Sequence, residues 1–585
     1  MFDFTQRWRG VGRGDASFLA AILVTLGING VFLKVAFTAR LADFGWATAL
    51  QGGALDLVYI LVPVYFSFLV ASTRAPLFRI YAILLFSCCT VPAYFSAVYK
   101  ADMHLMTIAF LQTNQNEAKG FLELPLLGCL CTGLLTGATV GGAVSREPAR
   151  WRDISKRNNW LKYAALPLVL FELAFMVNRH VAHVSLGDAY REYLPFAFFT
   201  QSLETIDKAK VVRERMGKKK DIGAAYAGAD GRHDDLVLVV VIGESARSRN
   251  FSLNGYSRMT NPKLSRLDHL VSFDKAFSCQ NLTQFAVPGL MTRSTTANLS
   301  ETTGRETSFI SIFRRLGYYT AWLTTEPDWS YLDPNYDAVT QIALEADEHR
   351  FSWMVGKNNL GGNRLSKEFA DTVLLQDLDR LLAGHKKLLL VLNTFGSHYP
   401  YHRDYITGAL APFQPICTSV QDCDNIDHLE NAYDNTIFYA DNFLSQVIGR
   451  LKERRALFLY VSDHGESIGE DKAGRRIGKN GTFGHGHNTD KFLDLVRTGA
   501  YDEQRRVPMI WWASDTFLRD PADRKRFDFL SSKQHDVVSH DNVFHSILDC
   551  AGIGSEAVDK DLSLCSPSPV PRYDAFLGVH HPASP

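Results

Sequence analysis

The sequence predicts an α-helical transmembrane domain of five spans, joined to an α/β domain built on a mainly parallel sheet. Two observations carry this. Apolar residues concentrate in long runs at 17–37, 54–72, 77–98, 121–144 and 160–178, each meeting the length of about 20 residues needed to cross a hydrocarbon core. From residue 236 onward the texture changes to short apolar runs separated by helical patterns, as strands alternating with helices require.

The first run is too long for a signal-peptide core and no small-residue cleavage site follows it, so it reads as an anchor. Loop charges orient the array. Arg7, Arg9 and Arg13 precede the first span, Arg74 and Arg79 flank the second loop, and "SREPARWRDISKRNN" follows the fourth span. The opposite loops hold only Arg40, Lys100 and Lys119. The positive-inside rule then makes the N-terminus cytoplasmic and puts everything after Asn178 outside. Across the whole chain 62 basic and 62 acidic residues cancel, which argues against a nucleic-acid binder.

Domain boundaries follow from these changes of composition: 1–178 transmembrane, 179–235 a connector with amphipathic helices, and 236–585 the external domain. Strands are predicted at "LVLVVVI" (236–242), "YYTAWLTT" (318–325), "KLLLVLNT" (387–394), "ALFLYVS" (456–462) and "VPMIWWA" (507–513). Their length and flanks favour strand over helix. Between them lie helical patterns such as "DTVLLQDLDRLLAG" and "NTIFYADNFLSQVIGRLKERR". In an external domain disulfides can form. Cys417 and Cys423 flank a short polar loop and are expected to pair, and Cys550 with Cys565 is a second pair, leaving Cys279 odd. No C-x-x-C occurs, which argues against a cysteine-ligated zinc.

Three of the strands end in residues suited to a metal or phosphate centre. Glu244 follows the first, "GSH" with His398 follows the third, and "SDHGES" with Asp463 and His464 follows the fourth. In a parallel sheet these ends share one edge, where ligands gather. Carboxylates with imidazole bind zinc or manganese. Gly465 would let the backbone turn away, and His485 and His487 sit in the glycine-rich loop "NGTFGHGHNTD". "GESAR" superficially matches the G-x-S-x-G nucleophile elbow, but Arg247 replaces the last glycine. Glu244 therefore reads as a ligand and Ser245 as a helix N-cap. The nucleophile stays open among Ser278, Thr283 and Thr292 in "FSCQNLTQFAVPGLMTRSTT".

"VVIGESARSRNFSLNGYSRMTNP", "FGSHYPYHRDY", "YDNTIFYADNFLSQVI", "YVSDHGESIGE" and "SHDNVFHSILDCAGI" together resemble the bacterial phosphoethanolamine transferases. That family includes lipid A-modifying and polymyxin-resistance enzymes. The resemblance covers the whole chain and implies a multi-pass inner-membrane protein whose periplasmic domain has the alkaline-phosphatase/sulfatase fold. It implies one tight zinc ion, with room for a second, held by Glu244, Asp463, His464 and the nucleophile Thr283 of "C-x-x-x-T". It makes His398 and His485 substrate-phosphate residues, and places Thr113 and Glu117 of "LQTNQNEAKG" against the ethanolamine head group. The donor implied is phosphatidylethanolamine, and the acceptor lipid A, a core sugar of lipopolysaccharide or a periplasmic glucan. Other readings are a sulfatase or phosphoglycerol transferase of the same superfamily, or a non-catalytic metal- or glycan-binding membrane protein. The sequence departs from the family at Gly289, where a cysteine is expected, at Ala109 for an asparagine, and in "LTTEPDWSYLDP".

Overall fold

The computed structural model describes residues 13–30, 46–71, 74–99 and 124–142 of the apolar part, together with 219–226, 234–299, 304–326, 338–351, 370–403, 405–418, 425–470, 475–478, 481–486, 502–570 and a few isolated positions. The chain divides into two compact units, one of residues 1–111 and 121–207, the other of 112–120 and 208–585.

In the first unit, the helices Trp46–Ala71, Ala75–Tyr99 and Leu124–Gly142 are long and apolar enough to cross a membrane. The expected first span appears as a shorter apolar helix, Ser17–Ile28, and the expected fifth, 160–178, lies outside the described residues. Gly133, Gly137 and Gly141 recur every fourth residue on the last of these helices. A Cβ on Gly137 would lie 2.6 Å from the Cα of Ile83, and one on Gly141 would lie 3.0 Å from the Cα of Arg79. This stripe lets the two backbones approach, which is how helices associate where lipid supplies no hydrophobic drive. Asp56, buried within the Trp46–Ala71 helix, accepts a hydrogen bond from the Tyr193 hydroxyl at 2.7 Å, so this acid has a named partner.

The second unit is built on an eight-stranded sheet. Its strands are β1 (Leu236–Gly243), β2 (Leu270–Phe277), β3 (Tyr319–Thr324), β4 (Glu348–Phe351), β5 (Leu388–Asn393), β6 (Arg455–Ser462), β9 (Arg506–Ala513) and β10 (Val538–Ser539). Strands β7 (Ser467–Glu470) and β8 (Thr482–Gly484) form a separate antiparallel ribbon. The sheet order is β10-β2-β9-β6-β1-β5-β3-β4. Among these strands β9 alone runs against the others. Strand β1 pairs in parallel with β5 and β6 and is buried along its whole length. Leu236, Leu238, Val240 and Ile242 join the main core with Trp322, Phe309 and Phe544. Val237, Val239 and Val241, one position out of phase, are buried on the opposite face, as a sheet covered on both sides demands.

The five predicted strands are present within a residue or so of their expected bounds. Strand β2 was not expected. It alternates buried with half-buried residues and carries Asp274 and Lys275, so no continuous apolar run marks it. The reversal of β9 is likewise invisible to periodicity, which carries no direction. The disulfides Cys417–Cys423 and Cys550–Cys565 are formed.

The polar motif after β1 clasps the helix Ile426–Leu451. Asp434, fully buried on that helix, accepts from Asn250 Nδ2 at 2.5 Å, from the Tyr256 hydroxyl at 2.9 Å and from Arg258 Nη1 at 2.9 Å. Seven residues on, Asp441 accepts the backbone N–H groups of Lys263 and Leu264 at 3.0 and 2.9 Å. Much of "RNFSLNGYSRMTNP" thus secures the loop after β1 to a rigid helix. Asp434→Ala, which leaves the buried Asn250 amide and the half-buried Tyr256 and Arg258 donors without their acceptor, is expected to destabilise the domain by about 3 kcal/mol. Thermal unfolding of the detergent-solubilised full chain checks this, and a midpoint within a degree of wild type would refute it.

Candidate metal and phosphate site

The forward-running strands deliver their following loops to one edge of the sheet. Glu244 follows β1 directly, Asp463 and His464 follow β6, His398 lies in the turn after β5, and Thr283 lies beyond β2. His485 arrives from the end of β8. All six side chains meet. Ligand atoms of Glu244, Asp463 and His464 lie within 4.8 Å of one another, as do those of Glu244, His398 and His485. Thr113, Glu117 and His487 lie outside the described residues.

Two glycines make this convergence possible. Gly396 has φ +46°, and a Cβ there would lie 2.6 Å from the Glu244 backbone nitrogen. Gly465 instead serves close approach rather than a turn, because a Cβ there would meet the Glu503 carbonyl oxygen at 2.1 Å. Ser397 N–H donates to the Glu244 carbonyl at 2.8 Å, and Asp463 N–H to that of Gly243 at 2.8 Å. The turn after β5 is held by buried Arg403, which donates to the carbonyls of Gly396 at 2.7 Å and His398 at 2.6 Å.

Ser245 does not cap a helix. It sits at φ +56°, a region costly for a non-glycine residue, and the next helical turn begins only at Ser248. Its N–H donates to Asp463 Oδ1 at 3.1 Å and its hydroxyl to Glu244 Oε1 at 2.7 Å. The Tyr433 hydroxyl donates to its carbonyl at 2.7 Å. Ser245 is therefore a brace for the two carboxylates.

Among the three open hydroxyls the geometry discriminates. Ser278 Oγ is occupied by the carbonyls of Gln280 and Asp463, and Thr292 Oγ1 by that of Pro288 at 2.7 Å. Thr283 Oγ1 lies 3.0 Å from Glu244 Oε2 and 3.2 Å from His464 Nε2. Thr283 also opens the helix Thr283–Met291.

The donor set fits a zinc- or manganese-type ion. His464 Nδ1 lies 2.9 Å from the Gly465 carbonyl, which fixes the tautomer and leaves Nε2 with its lone pair toward the carboxylates. Asp463 Oδ2 is buried with no hydrogen-bond donor among the described residues, and lies 3.2 Å from that nitrogen. Burial, and then the charge of Asp463, raise the Glu244 carboxyl above the usual range, while burial raises Asp463. Two carboxyls so placed suit a cation.

The histidines divide into two kinds. Burial and neighbouring His485 push His464 down to about 4, and burial also lowers His398. His485 is pushed up to about 9, because Glu466, Glu244 and Asp463 outweigh its burial. Its Nδ1 lies 2.9 Å from Glu466 Oε2, and the Tyr401 hydroxyl donates to Glu466 Oε1 at 2.7 Å. Sequence reasoning passed over Glu466. The signal was present in "DHGES", where an acid lies two residues beyond His464 and follows a glycine.

Cys279 is buried and unbridged. A Cβ on Gly289 would lie 2.4 Å from its Sγ, so the expected cysteine at 289 would stand beside it. Gly289→Cys is accordingly expected to form a bridge to Cys279 under oxidising conditions. Thiol counting of the denatured variant reads this: one free thiol fewer than wild type is expected as Cys279 is consumed, and one more than wild type would contradict it.

Comparison with known proteins places the chain. Residues 237–553 match the family model described as Sulfatase. The Kdo(2)-lipid A phosphoethanolamine 7''-transferase of Escherichia coli K12 is 28% identical over 328 residues, covering 55% of this chain and 52% of that protein. Phosphoethanolamine transferase EptA of the same strain is 30% identical over 341 residues, 56% of each. The match thus spans about half the length of these relatives. Phosphatidylethanolamine transferase Mcr-2 of Escherichia coli is 25% identical over 524 residues, 85% of this chain and 91% of that one. The structure of the integral membrane protein lipooligosaccharide phosphoethanolamine transferase A of Neisseria meningitidis shares the fold, with a TM-score of 0.75 at 22% identity over 94% of this chain and 98% of that one. With its site residues converging at one edge of a sheet that the family model spans almost end to end, the chain belongs to the sulfatase family.

Proposed function

We propose that this protein transfers phosphoethanolamine from phosphatidylethanolamine to an acceptor of the bacterial cell envelope: lipid A, a core sugar of lipopolysaccharide or a periplasmic glucan. The observation that carries it is the Thr283 hydroxyl held between Glu244 and His464 beside a histidine pair, His398 and His485, whose ring centroids lie 5.6 Å apart. The relatives' names support the group transferred. Helices of spanning length suit an enzyme whose donor and by-product are lipids, held in the inner membrane with its catalytic domain in the periplasm.

Glu244, Asp463, His464 and Thr283 would hold a zinc ion. When bound, zinc supplies positive charge that lowers the pKa of the Thr283 hydroxyl and offsets charge on phosphate. The Thr283 hydroxyl, oriented by its hydrogen bond to Glu244, gives up its proton to solvent before attack, which leaves the oxygen's lone pair for phosphorus. The Thr283 O–P bond forms as the bond from phosphorus to the diacylglycerol oxygen breaks. Protonated His485 gives its proton to that departing oxygen. The N-terminus of the helix Thr283–Met291 faces the phosphoryl oxygens with backbone N–H groups. His398, kept neutral by burial, donates a hydrogen bond to the same oxygens. In the second half the acceptor oxygen attacks phosphorus and gives its proton to His485, while the bond from phosphorus to Thr283 breaks and leaves the Thr283 oxygen deprotonated, as it was before the first attack. Thr113 and Glu117 take the ethanolamine ammonium.

Mass spectrometry of lipid A, core oligosaccharide and periplasmic glucan, from cells with and without the protein, tests this reading. One of these molecules should gain phosphoethanolamine. Release of free sulfate, or gain of phosphoglycerol, would favour the rival chemistries and overturn it.

A further inference from the structure

Arg247 is 1% exposed, although it lies only three residues beyond Glu244. Its side chain reaches both ends of β7. Nη1 donates to the Glu470 carboxylate at 2.6 Å and to the Glu466 carbonyl at 3.4 Å. Nε donates to Asn250 Oδ1 at 2.5 Å, and Nη2 lies 3.5 Å from Glu430 Oε1. Its guanidinium stands over the Tyr433 ring at 5.4 Å. Its own N–H donates to the Tyr433 hydroxyl at 2.9 Å, the group that braces Ser245.

Strand β7 is what locates His485. It begins one residue after Glu466, the partner of His485 Nδ1. It pairs with β8 through Ser467 opposite Gly484 and Ile468 opposite Phe483, so His485 follows the last paired residue. The ribbon makes no ladder with the eight-stranded sheet. Besides Arg247, β7 is tied by Gln504, whose side chain donates to Ser467 Oγ at 2.9 Å. A rigid guanidinium fork thus joins the chain segment carrying Glu244 to the ribbon carrying His485.

We propose that Arg247 is a positioning residue, which clamps β7 and thereby fixes His485 relative to the Glu244–Asp463–His464 centre. This rests on the reading of His485 as a group that acts on substrate phosphate. Removing Arg247 alone strands the buried Glu470 charge, which is strongly destabilising. The test therefore pairs Arg247→Met with Glu470→Gln, beside Arg247→Lys, in the detergent-solubilised full chain.

Three readouts are taken: zinc content, hydrogen exchange of residues 467–470 and 482–486, and kcat for labelled phosphatidylethanolamine. In the paired variant, exchange of the ribbon should rise about tenfold while β1 keeps its protection. Zinc content should hold, and kcat should fall roughly 10- to 100-fold, as when an outer partner of a site residue is lost. Adding His485→Ala should then cost less than about threefold more, because both changes act through one group. Arg247→Lys, keeping the charge without the fork, should fall between. If the paired variant exposes β1 as well, Arg247→Lys replaces it in the same cycle with His485→Ala. Losses that multiply in the cycle, or a ribbon whose exchange does not change, overturn the proposal. A wild-type protein that moves no labelled phosphoethanolamine sinks the functional reading instead, and ribbon exchange alone then decides the role of Arg247.

Discussion

Thr283→Ala is expected to abolish phosphoethanolamine transfer while leaving the fold in place. The side chain is 8% exposed in residue terms, and its hydroxyl contacts are the two site residues Glu244 and His464. Losing them costs folding stability on the order of 1 kcal/mol. Losing the attacking oxygen removes the covalent route, so turnover should drop by about 10⁴-fold or more. Thr283→Ser retains an oxygen at the same place and should keep measurable activity. Intact-mass spectrometry after incubation with phosphatidylethanolamine gives the direct readout. The wild type gains one phosphoethanolamine, and the alanine variant gains none. A variant that still becomes labelled would move the nucleophile elsewhere.

The second large effect changes sign with metal. Asp463→Asn should weaken zinc binding by more than the 10- to 100-fold typical of losing an outer partner. Without metal the same variant should be more stable than wild type, by about 1–2 kcal/mol. Glu244 and Asp463 are both buried, and Asp463 Oδ2 has no hydrogen-bond donor among the described residues. Asparagine keeps the oxygen that accepts from Ser245 and His464 N–H at 3.1 and 2.6 Å while removing one like charge. Zinc at 100 times its dissociation constant should stabilise the wild type by about 2.7 kcal/mol and the variant hardly at all. Melting curves with chelator and with zinc should therefore cross. A variant less stable than wild type in chelator would mean that Asp463 is ionised and satisfied without a cation.

Much of this was legible in the sequence because the buried strands are continuous apolar runs. Strands β1, β3, β5, β6 and β9 announce themselves, and the residues following three of them are the site carboxylates and histidines. What stayed hidden depends on contacts distant in sequence. Strand β2 is half-exposed. The left-handed backbone of Ser245 is imposed by bonds to Asp463 and Tyr433. The choice of Thr283 over Ser278 turns on which carbonyls already occupy Ser278. Arg247 looked like the residue that spoils a serine-hydrolase motif, and only the ribbon gives it a partner.

The convergence on one sheet edge also sets an order of events in biosynthesis. Ser245 and His485 are 240 residues apart in the chain, and Asp463 and His464 come from the strand that pairs beside β1. A growing chain therefore carries Glu244 and Thr283 long before anything exists to complete their surroundings. Such long-range pairing forms slowly. The site is a late product of synthesis, and under the proposed reaction an unfinished chain has no means of attacking a lipid.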